Sequence, residues 1–358
     1  MTADGPGSVH LTGLVGHKGR SPCRVFCGLN GRLQPGTTHY YPALLLPVNY
    51  SVSGSNFPDT DVNTIHFRLA RDYEVKLLYL MGSRNTTDYK NQQQDTGTLR
   101  PSLVSGLPRT ARLPLASCLC GDAMHTCSLN MGDLFLPLWR GSFDCSSTDS
   151  PLNWPWAVLK GQVWKQHGKA VANTCSYIPG SYDRPPRNIA EKINSGYKAK
   201  EWQNYLYGLA PALLHGILPH AYWQNFCKFM YSICMIHQRQ ISWTQLQEAQ
   251  RVLNEWCIEY EELYIQQQAD CLHFMRPCVH AILHQGLEIH HIGPPGLSST
   301  WTMERTIGDL CQEIRQPSNP YANLSQQGLL RSQLNALKVM FPLLDKTAKG
   351  LPRGAMAL

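Results

Sequence analysis

Through the second half of the chain apolar residues recur at helical spacing, whereas the first 110 residues carry only short apolar runs between turn formers. Phe226, Phe229, Met230, Ile233 and His237 fall at i, i+3, i+4, i+7 and i+11, one face of a helix. Ser242 and Gln245 form a capping-box pattern that opens a second long helix. Its stripe is Leu246, Ala249, Leu253, Trp256, Tyr260 and Leu263, and its opposite face carries Glu248, Glu255, Glu259, Glu261 and Glu262 against Arg251. That acidic face reads as solvated. Pro277 suits the first turn of a further helix, and Leu330, Leu334, Leu337 and Phe341 give residues 329–344 a last amphipathic stripe. Met124, Leu129, Leu134, Phe135 and Leu138 mark an earlier helix, with an interruption expected near Gly132. In the first part, residues 40–46 and 75–81 have strand length, and residues 84–110 read as a polar surface loop. Residues 140–187 mix turn signals with Trp154, Trp156 and Trp164 and end in Arg184-Pro-Pro-Arg187, where a boundary is expected. There is no internal repeat.

Composition narrows the class. Of 358 residues, 43 % are hydrophobic and 16 % charged, a globular balance. Lys and Arg number 32 and Asp and Glu 25, so the net charge is +7, suited to a polyanionic partner. No apolar run reaches the roughly 18 residues of a membrane span, and the N-terminus lacks the basic and apolar regions of a secretory signal. Thirteen cysteines, an odd number in a chain this long, fit reduced thiols in a cytosolic or nuclear protein.

Several short patterns could carry chemistry. Cys23-Arg-Val-Phe-Cys27 offers two thiolates, and His280-Ala-Ile-Leu-His284 puts two imidazoles on one helix face. Together they could close a tetrahedral structural metal site, although spacing alone favours core thiols and ordinary helix histidines. Asp122-Ala-Met-His125 pairs an acid with a histidine at a helix start, where an N-cap is the simpler reading. Glu304 sits among apolar residues beside Arg305, and Asp4 stands in a turn-like Ala-Asp-Gly-Pro. The densest basic stretch holds Arg184, Arg187, Lys192, Lys198 and Lys200 against Glu191, with Tyr197 and Trp202 interleaved. It reads equally as a phosphate-and-stacking surface or as the start of a solvated helix. No compact basic run marks a nuclear import signal.

Taken in order, a set of motifs resembles the transposases of CACTA-type (En/Spm-like) DNA elements, in the Plavaka-like branch of fungal genomes. Its carriers include Cys23-Arg-Val-Phe-Cys-Gly-Leu-Asn-Gly-Arg32, His39-Tyr-Tyr-Pro-Ala43, Asp122-Ala-Met-His125, Leu138-Trp-Arg-Gly-Ser-Phe-Asp144, Arg184-Pro-Pro-Arg-Asn188, Lys200-Glu-Trp202, Trp301-Thr-Met-Glu-Arg-Thr-Ile-Gly308 and Arg315-Gln-Pro-Ser-Asn-Pro-Tyr321. The resemblance implies an α/β plus α chain, with an incomplete RNase H-like core interrupted by and followed by a large α-helical region. Residues 1–140 would be the partial core, 141–187 a connector, 188–300 a helical insertion and 301–358 a helical segment carrying the final Glu.

Such enzymes cleave and rejoin DNA at transposon ends. Three carboxylates hold two Mg2+ or Mn2+ ions about 3.5–4 Å apart. By resemblance, Asp4 matches the second catalytic Asp, Glu304 the final Glu, and Asp122 with His125 the Asp-x-x-His motif between them. Related Transib-like transposases and the V(D)J recombinase look similar in joining a Cys pair after the second Asp to a His pair before the Glu through zinc. Cys23, Cys27, His280 and His284 would fill those positions. Arg184, Arg187, Lys198, Lys200, Arg305 and Arg315 would face DNA, in the nucleus, with self-association as a further option. The family's first Asp lies on an upstream strand, and only Met1-Thr-Ala precedes Asp4. The expectation is therefore a chain inactive alone, with Mg2+ or Mn2+ relevant only to a restored triad. The alternative is a non-catalytic, zinc-stabilised DNA-binding or interaction protein of transposase descent.

Overall fold

The two strongest periodic segments pack against each other. In the computed structural model, residues 2–3, 5–23, 27–65, 70–111, 113, 120–145, 149–314 and 318–344 are described. In chain order the strands and α-helices are β1 (Thr2–Ala3), α1 (Gly5–Thr12), β2 (Arg32–Leu33), β3 (Tyr40–Tyr41), α2 (Ala70–Met81), α3 (Thr86–Thr96), β4 (Cys120–Gly121), α4 (Met131–Arg140), α5 (Gly161–Asn173), α6 (Ile189–Lys192), α7 (Ala199–Asn204) and α8 (Ala210–Leu213). The long pair is α9 (His220–Ile236) and α10 (Trp243–Tyr260), followed by α11 (Pro277–Ile282), α12 (Gln285–Ile292), α13 (Pro295–Ser298), α14 (Trp301–Glu313) and α15 (Pro320–Met340). Short π-helical turns at Met124–Asn130, Tyr205–Leu209 and Glu261–Ile265 adjoin α4, α7 and α10. The chain is thus mostly helical with a few two-residue strands. β1 pairs in parallel with β4, and β2 pairs antiparallel with β3. No helix among the described residues is long and apolar enough to cross a membrane.

Two compact units emerge, one of residues 1–176 and 185–299, the other of residues 177–184 and 300–358. The first has a continuous core. α9 and α10 run antiparallel, with Phe229 5.0 Å from Trp256 and the Asn225 amide donating to the Trp256 carbonyl. α4 closes one side: Phe135 stacks on Trp139 at 5.1 Å, Trp139 meets Phe226 edge-on at 5.0 Å, and its indole N–H donates to the Tyr264 hydroxyl. The Trp-rich stretch belongs to this core, since Trp154 and Trp156 both lie edge-on against Phe274. Fully burying aromatic side chains of this size contributes about 1.5–3 kcal/mol each, which makes this layer the main source of stability.

The helix continues through Gly132, its pattern changing from π to α between Asn130 and Met131. A Cβ at Gly132 would stand 2.5 Å from the Trp202 ring, so glycine is what lets α7 approach α4 so closely.

The N-terminal part departs from the sequence expectation. Residues 75–81 lie in helix α2, because Tyr73, Leu77 and Leu80 share one face and pack inward while Val75, Leu78 and Tyr79 stay exposed. An apolar run of strand length cannot by itself choose between the two periods. Residues 86–96 of the expected loop also form a helix, α3. The Asn85 side chain accepts from the Asp88 N–H at its start, and Gly97 takes a left-handed conformation at its end. Of residues 40–46 only Tyr40 and Tyr41 are strand. The next segment is pinned by buried side chains that bond to its backbone. Arg32, fully buried, donates to the carbonyls of Leu44 and Phe57 at 2.9 Å, and Glu261 accepts from the Leu44 and Leu45 N–H groups. Glu261 therefore does not belong to the solvated acidic face. The rest of that face is as expected, with Arg251 held by Glu248 and Glu255, and Lys228 by Glu259.

In the second unit α14 and α15 are amphipathic, but neither contains a buried residue. The described cysteines are all free thiols.

Candidate metal centre

Pro277 opens α11, and the following turns carry His280 within that helix and His284 at its junction with α12. The four-residue step stacks the two rings with centroids 4.8 Å apart and brings their Nε2 atoms to 3.1 Å. Cys23 and Cys27 come from the loop before β2. Cys23 Sγ lies 3.3 Å from His284 Nε2, and Cys27 Sγ lies 3.3 Å from His280 Nε2. All four donor atoms sit within 4.8 Å of one another. Zinc bonds of about 2.3 Å to sulfur and about 2.0–2.1 Å to nitrogen give tetrahedral edges of roughly 3.6 Å (S to N) and 3.4 Å (N to N). The cluster is a few tenths of an ångström tighter than that and has the right donors. It could hold a metal ion.

The electrostatics of Cys23 and His280 agree with a ligand set, whereas His284 is drawn toward its protonated form. Burial pushes the Cys23 thiol up, but its hydrogen bond with Cys27 and the His284 and His280 imidazoles outweigh that and hold it well below its ordinary range. Burial also presses His280 toward its neutral form, the form that ligates. Desolvation pushes His284 the same way, but Cys23 and Glu288 win and raise it. Around the ligands, the Leu29 N–H points to Cys27 Sγ at 3.5 Å. Glu288, one turn beyond His284, accepts from the Gly121 N–H at 3.0 Å and from the Gln285 amide at 2.9 Å. That carboxyl, pushed up to about 7 by burial, ties α12 to β4 beside a cavity of about 40 Å3. Sequence reasoning missed Glu288, although its spacing of four from His284 was the available signal.

Asp122 directly follows β4. Its carboxylate accepts from the His125 N–H at 3.1 Å and meets the His125 ring Nδ1 at 2.5 Å. Asp122 is buried while the His125 ring is about a quarter exposed. Asp122 thus does cap the helical turn, and the same carboxylate also fixes the imidazole. In the parallel pair, Thr2 faces Cys120 and Ala3 faces Gly121. Position 4, after Ala3, lies outside the described residues, as does Arg315. Glu304 is exposed in the first turn of α14, in the second unit. Among the described residues, no group of three or more ligating side chains comes together other than the Cys–His cluster.

The basic residues divide. Arg187 grips fully buried Glu201 through Nε at 2.6 Å and Nη2 at 2.8 Å, so its guanidinium has a structural task. Tyr197 and Trp202 are buried edge-to-face at 5.1 Å, packed inward rather than interleaved on a surface. Lys198 is exposed, and Lys200 donates to the Gln203 side chain. Arg184 is exposed in the second unit, where Arg305 pairs with Asp183 at 3.1 Å. Sequence reasoning also passed over Lys165 and Lys169, exposed on one face of α5, a helix without an acidic residue.

In comparisons with known proteins, the chain matches no family model, no curated protein and no solved structure.

Proposed function

We propose that this chain is a DNA-handling part of a CACTA-type transposase, with an RNase H-like element around β1 and β4 and a zinc ion joining the N-terminal segment to the helical insertion. One observation carries the reading: thiol and imidazole pairs 253 and 261 residues apart in sequence meet in a single four-donor cluster. A chance pairing of core thiols has no reason to bring two cysteines onto two histidines at tetrahedral distances. Two thiolates and two imidazoles form a closed structural set, so the zinc would supply cohesion and leave no open position for catalysis. The parallel β1–β4 pair, with an acid following each strand in sequence, also supports the transposase reading. Asp122 and His125 would stand at the strand end near a phosphate, Glu304 would be one of the carboxylates that hold Mg2+ or Mn2+ in a restored triad, and Lys165, Lys169, Lys198 and Lys200 would contact the DNA backbone.

The second reading is a non-catalytic zinc-stabilised DNA-binding protein. It is favoured by the metal-ligand groups found among the described residues, where the Cys–His cluster appears and no cluster of carboxylates does. One experiment decides between the readings. Purified chain is assayed for zinc content, for salt-dependent DNA binding, and for nicking of candidate element ends with Mg2+ or Mn2+. Bound zinc with nicking that Glu304→Ala abolishes establishes the enzyme. Bound zinc with DNA binding but no nicking establishes the binding protein. A folded chain without zinc and without DNA affinity overturns both.

A further inference from the structure

Three buried glutamates lie in the first unit, and one of them is placed differently from the others. Glu201 meets the Arg187 guanidinium, and Glu261 has Arg32 nearby as well as two backbone N–H groups. Glu288 is also buried, at 6 % exposure, yet among the described residues no lysine or arginine pairs with it. Its oxygens accept from two neutral donors instead, the Gly121 N–H at 3.0 Å and the Gln285 side-chain amide at 2.9 Å. Burying a carboxyl without a cation is costly, and burial pushes this one up to about 7. Stability alone does not select such a group; its neighbours give the reason for it.

Glu288 stands between two groups of polar side chains. On one side is the Cys–His cluster. His284 lies one turn earlier, the Glu288 N–H donates to the His284 carbonyl at 2.9 Å, and His284 and Cys23 both act electrostatically on the carboxyl. On the other side is β4. The bond to the Gly121 N–H fixes the residue directly before Asp122, whose carboxylate caps the next turn and holds the His125 imidazole. β1 pairs with β4 only through Thr2–Cys120 and Ala3–Gly121, so the sheet by itself places that strand end weakly. The cavity of about 40 Å3 lies alongside, bordered by Cys23, His280, His284, Gly121 and Glu288. Packing between the cluster and the strand end is therefore incomplete, and the Glu288 carboxyl bridges the gap directly. A second connection, from the Cys278 thiol to the Asn130 carbonyl at 3.8 Å, joins α11 to the last residue of the π-helical turn and touches neither Asp122 nor His125.

We propose that Glu288 is a positioning residue that carries the geometry of the Cys–His cluster to the Asp122–His125 pair through the Gly121 N–H. The proposal rests on the metal-centre reading above and adds to it a link between that centre and the acid–histidine pair. With an ion bound, His284 fixes the start of α12 and with it the carboxyl one turn on. That carboxyl fixes Gly121, and the next peptide sets the direction of the Asp122 side chain. A change in the size of the cluster therefore moves the imidazole. Glutamine can do the same work, because its amide oxygen accepts from the Gly121 N–H while Gln285 turns its own amide over to accept from the new NH2 group. Alanine cannot.

The test compares the full chain loaded with zinc and with the larger cadmium ion. Its histidines carry an NMR-active carbon isotope at Cε1, and the His125 resonance is assigned by its loss in His125→Asn. In wild type the His125 resonance should differ between the two metal forms by more than its linewidth. In Glu288→Ala it should be the same in both forms, and in Glu288→Gln the difference should return. Zinc affinity should weaken about tenfold or more in Glu288→Ala and stay within about threefold in Glu288→Gln. A purely structural glutamate would lower the stability of both variants without removing the metal dependence of His125. An identical His125 resonance in the zinc and cadmium forms of wild type overturns the link while the metal centre stands, and this arm needs no variant to fold. A metal dependence in Glu288→Ala equal to that of wild type also overturns it, since the effect then travels by another route such as α11. If folded wild type takes up neither ion, the metal-centre reading fails and the link fails with it.

Discussion

The α9–α10 pair and the α14–α15 pair look alike in sequence, each with apolar residues at steps of three and four, but only the first buries its stripes. Phe226, Phe229, Ile233, Leu253 and Trp256 are fully buried, whereas Leu330, Leu334, Leu337 and Phe341 are about half exposed. Helical periodicity says which residues share a face; it does not say that anything covers that face. In the first pair coverage comes from other parts of the chain: α4, the Trp154 and Trp156 loop, and the segment after α10. The first two of these partners lie tens of residues away, and no local pattern reports them.

That contrast can be broken at several points. The largest effect is expected from the metal. If the cluster holds zinc as proposed, removing it with a chelator, or replacing Cys27 by alanine, should cost about 5 kcal/mol or more and lower Tm by roughly 10 °C, because metal affinity for a closed site is folding energy. An unchanged melting curve in the chelated protein would refute a structural zinc. Trp256→Ala is next, at about 3–5 kcal/mol, for a fully buried indole in contact with Phe229 and Tyr260. Denaturant unfolding measures it, and a cost below about 1 kcal/mol would show that the core between α9 and α10 is loose.

Arg187→Ala should cost about 2–3 kcal/mol, since it leaves the Glu201 carboxylate buried without its cation; the partial exposure of the arginine keeps the value at the low end. Lys198→Ala should leave stability within about 0.5 kcal/mol. A reversal of that order would return Arg187 to the surface role first expected of it.

Glu261 gives a pH-dependent test. Burial pushes its carboxyl up to about 7 from the ordinary 4.5, with the Leu44 and Leu45 N–H groups and Arg32 opposing part of the shift. The folded chain therefore holds this proton more tightly than the unfolded chain across that window. Stability should fall as pH rises from about 4.5 to 7 and level off above it, and Glu261→Gln should reduce the slope. A slope of opposite sign, or no difference in the variant, would show that the carboxylate is ionised in place. The smallest effect belongs to the second unit, where Leu334→Ala should change stability by no more than about 0.5 kcal/mol while helix content persists. A loss of 2 kcal/mol or more would mean that the α15 stripe is covered in solution.

The legible elements share a local cause. α9, α10 and α11 announce themselves through spacing, a capping box and a first-turn proline, all of which act within a few residues. α3 was equally legible in its caps, Asn85 and Gly97, but its polar middle hid it. α2 was missed because a seven-residue run that is apolar except for Lys76 suits either period until burial selects one face. Sequence alone offered the cysteines and histidines as a tetrahedral set but favoured core thiols, and the resemblance moved the reading toward zinc. Glu288, Glu261 and Glu201 could not be foreseen as buried, since a carboxylate goes inside only where N–H groups or a cation already wait for it, and those waiting groups are set by tertiary packing.

By itself, then, the amino-acid sequence determined where helices begin and which side of each is apolar, because capping and periodicity are short-range and need no partner. It also determined that thiol and imidazole pairs were available at ligand spacing. The tertiary structure alone decided that Cys23 and Cys27 meet His280 and His284, that Arg187 serves Glu201, and that Trp243 stays in the open beside His290. Each of these depends on distances between segments far apart along the chain. Such distances follow only from how the whole chain closes around its aromatic core.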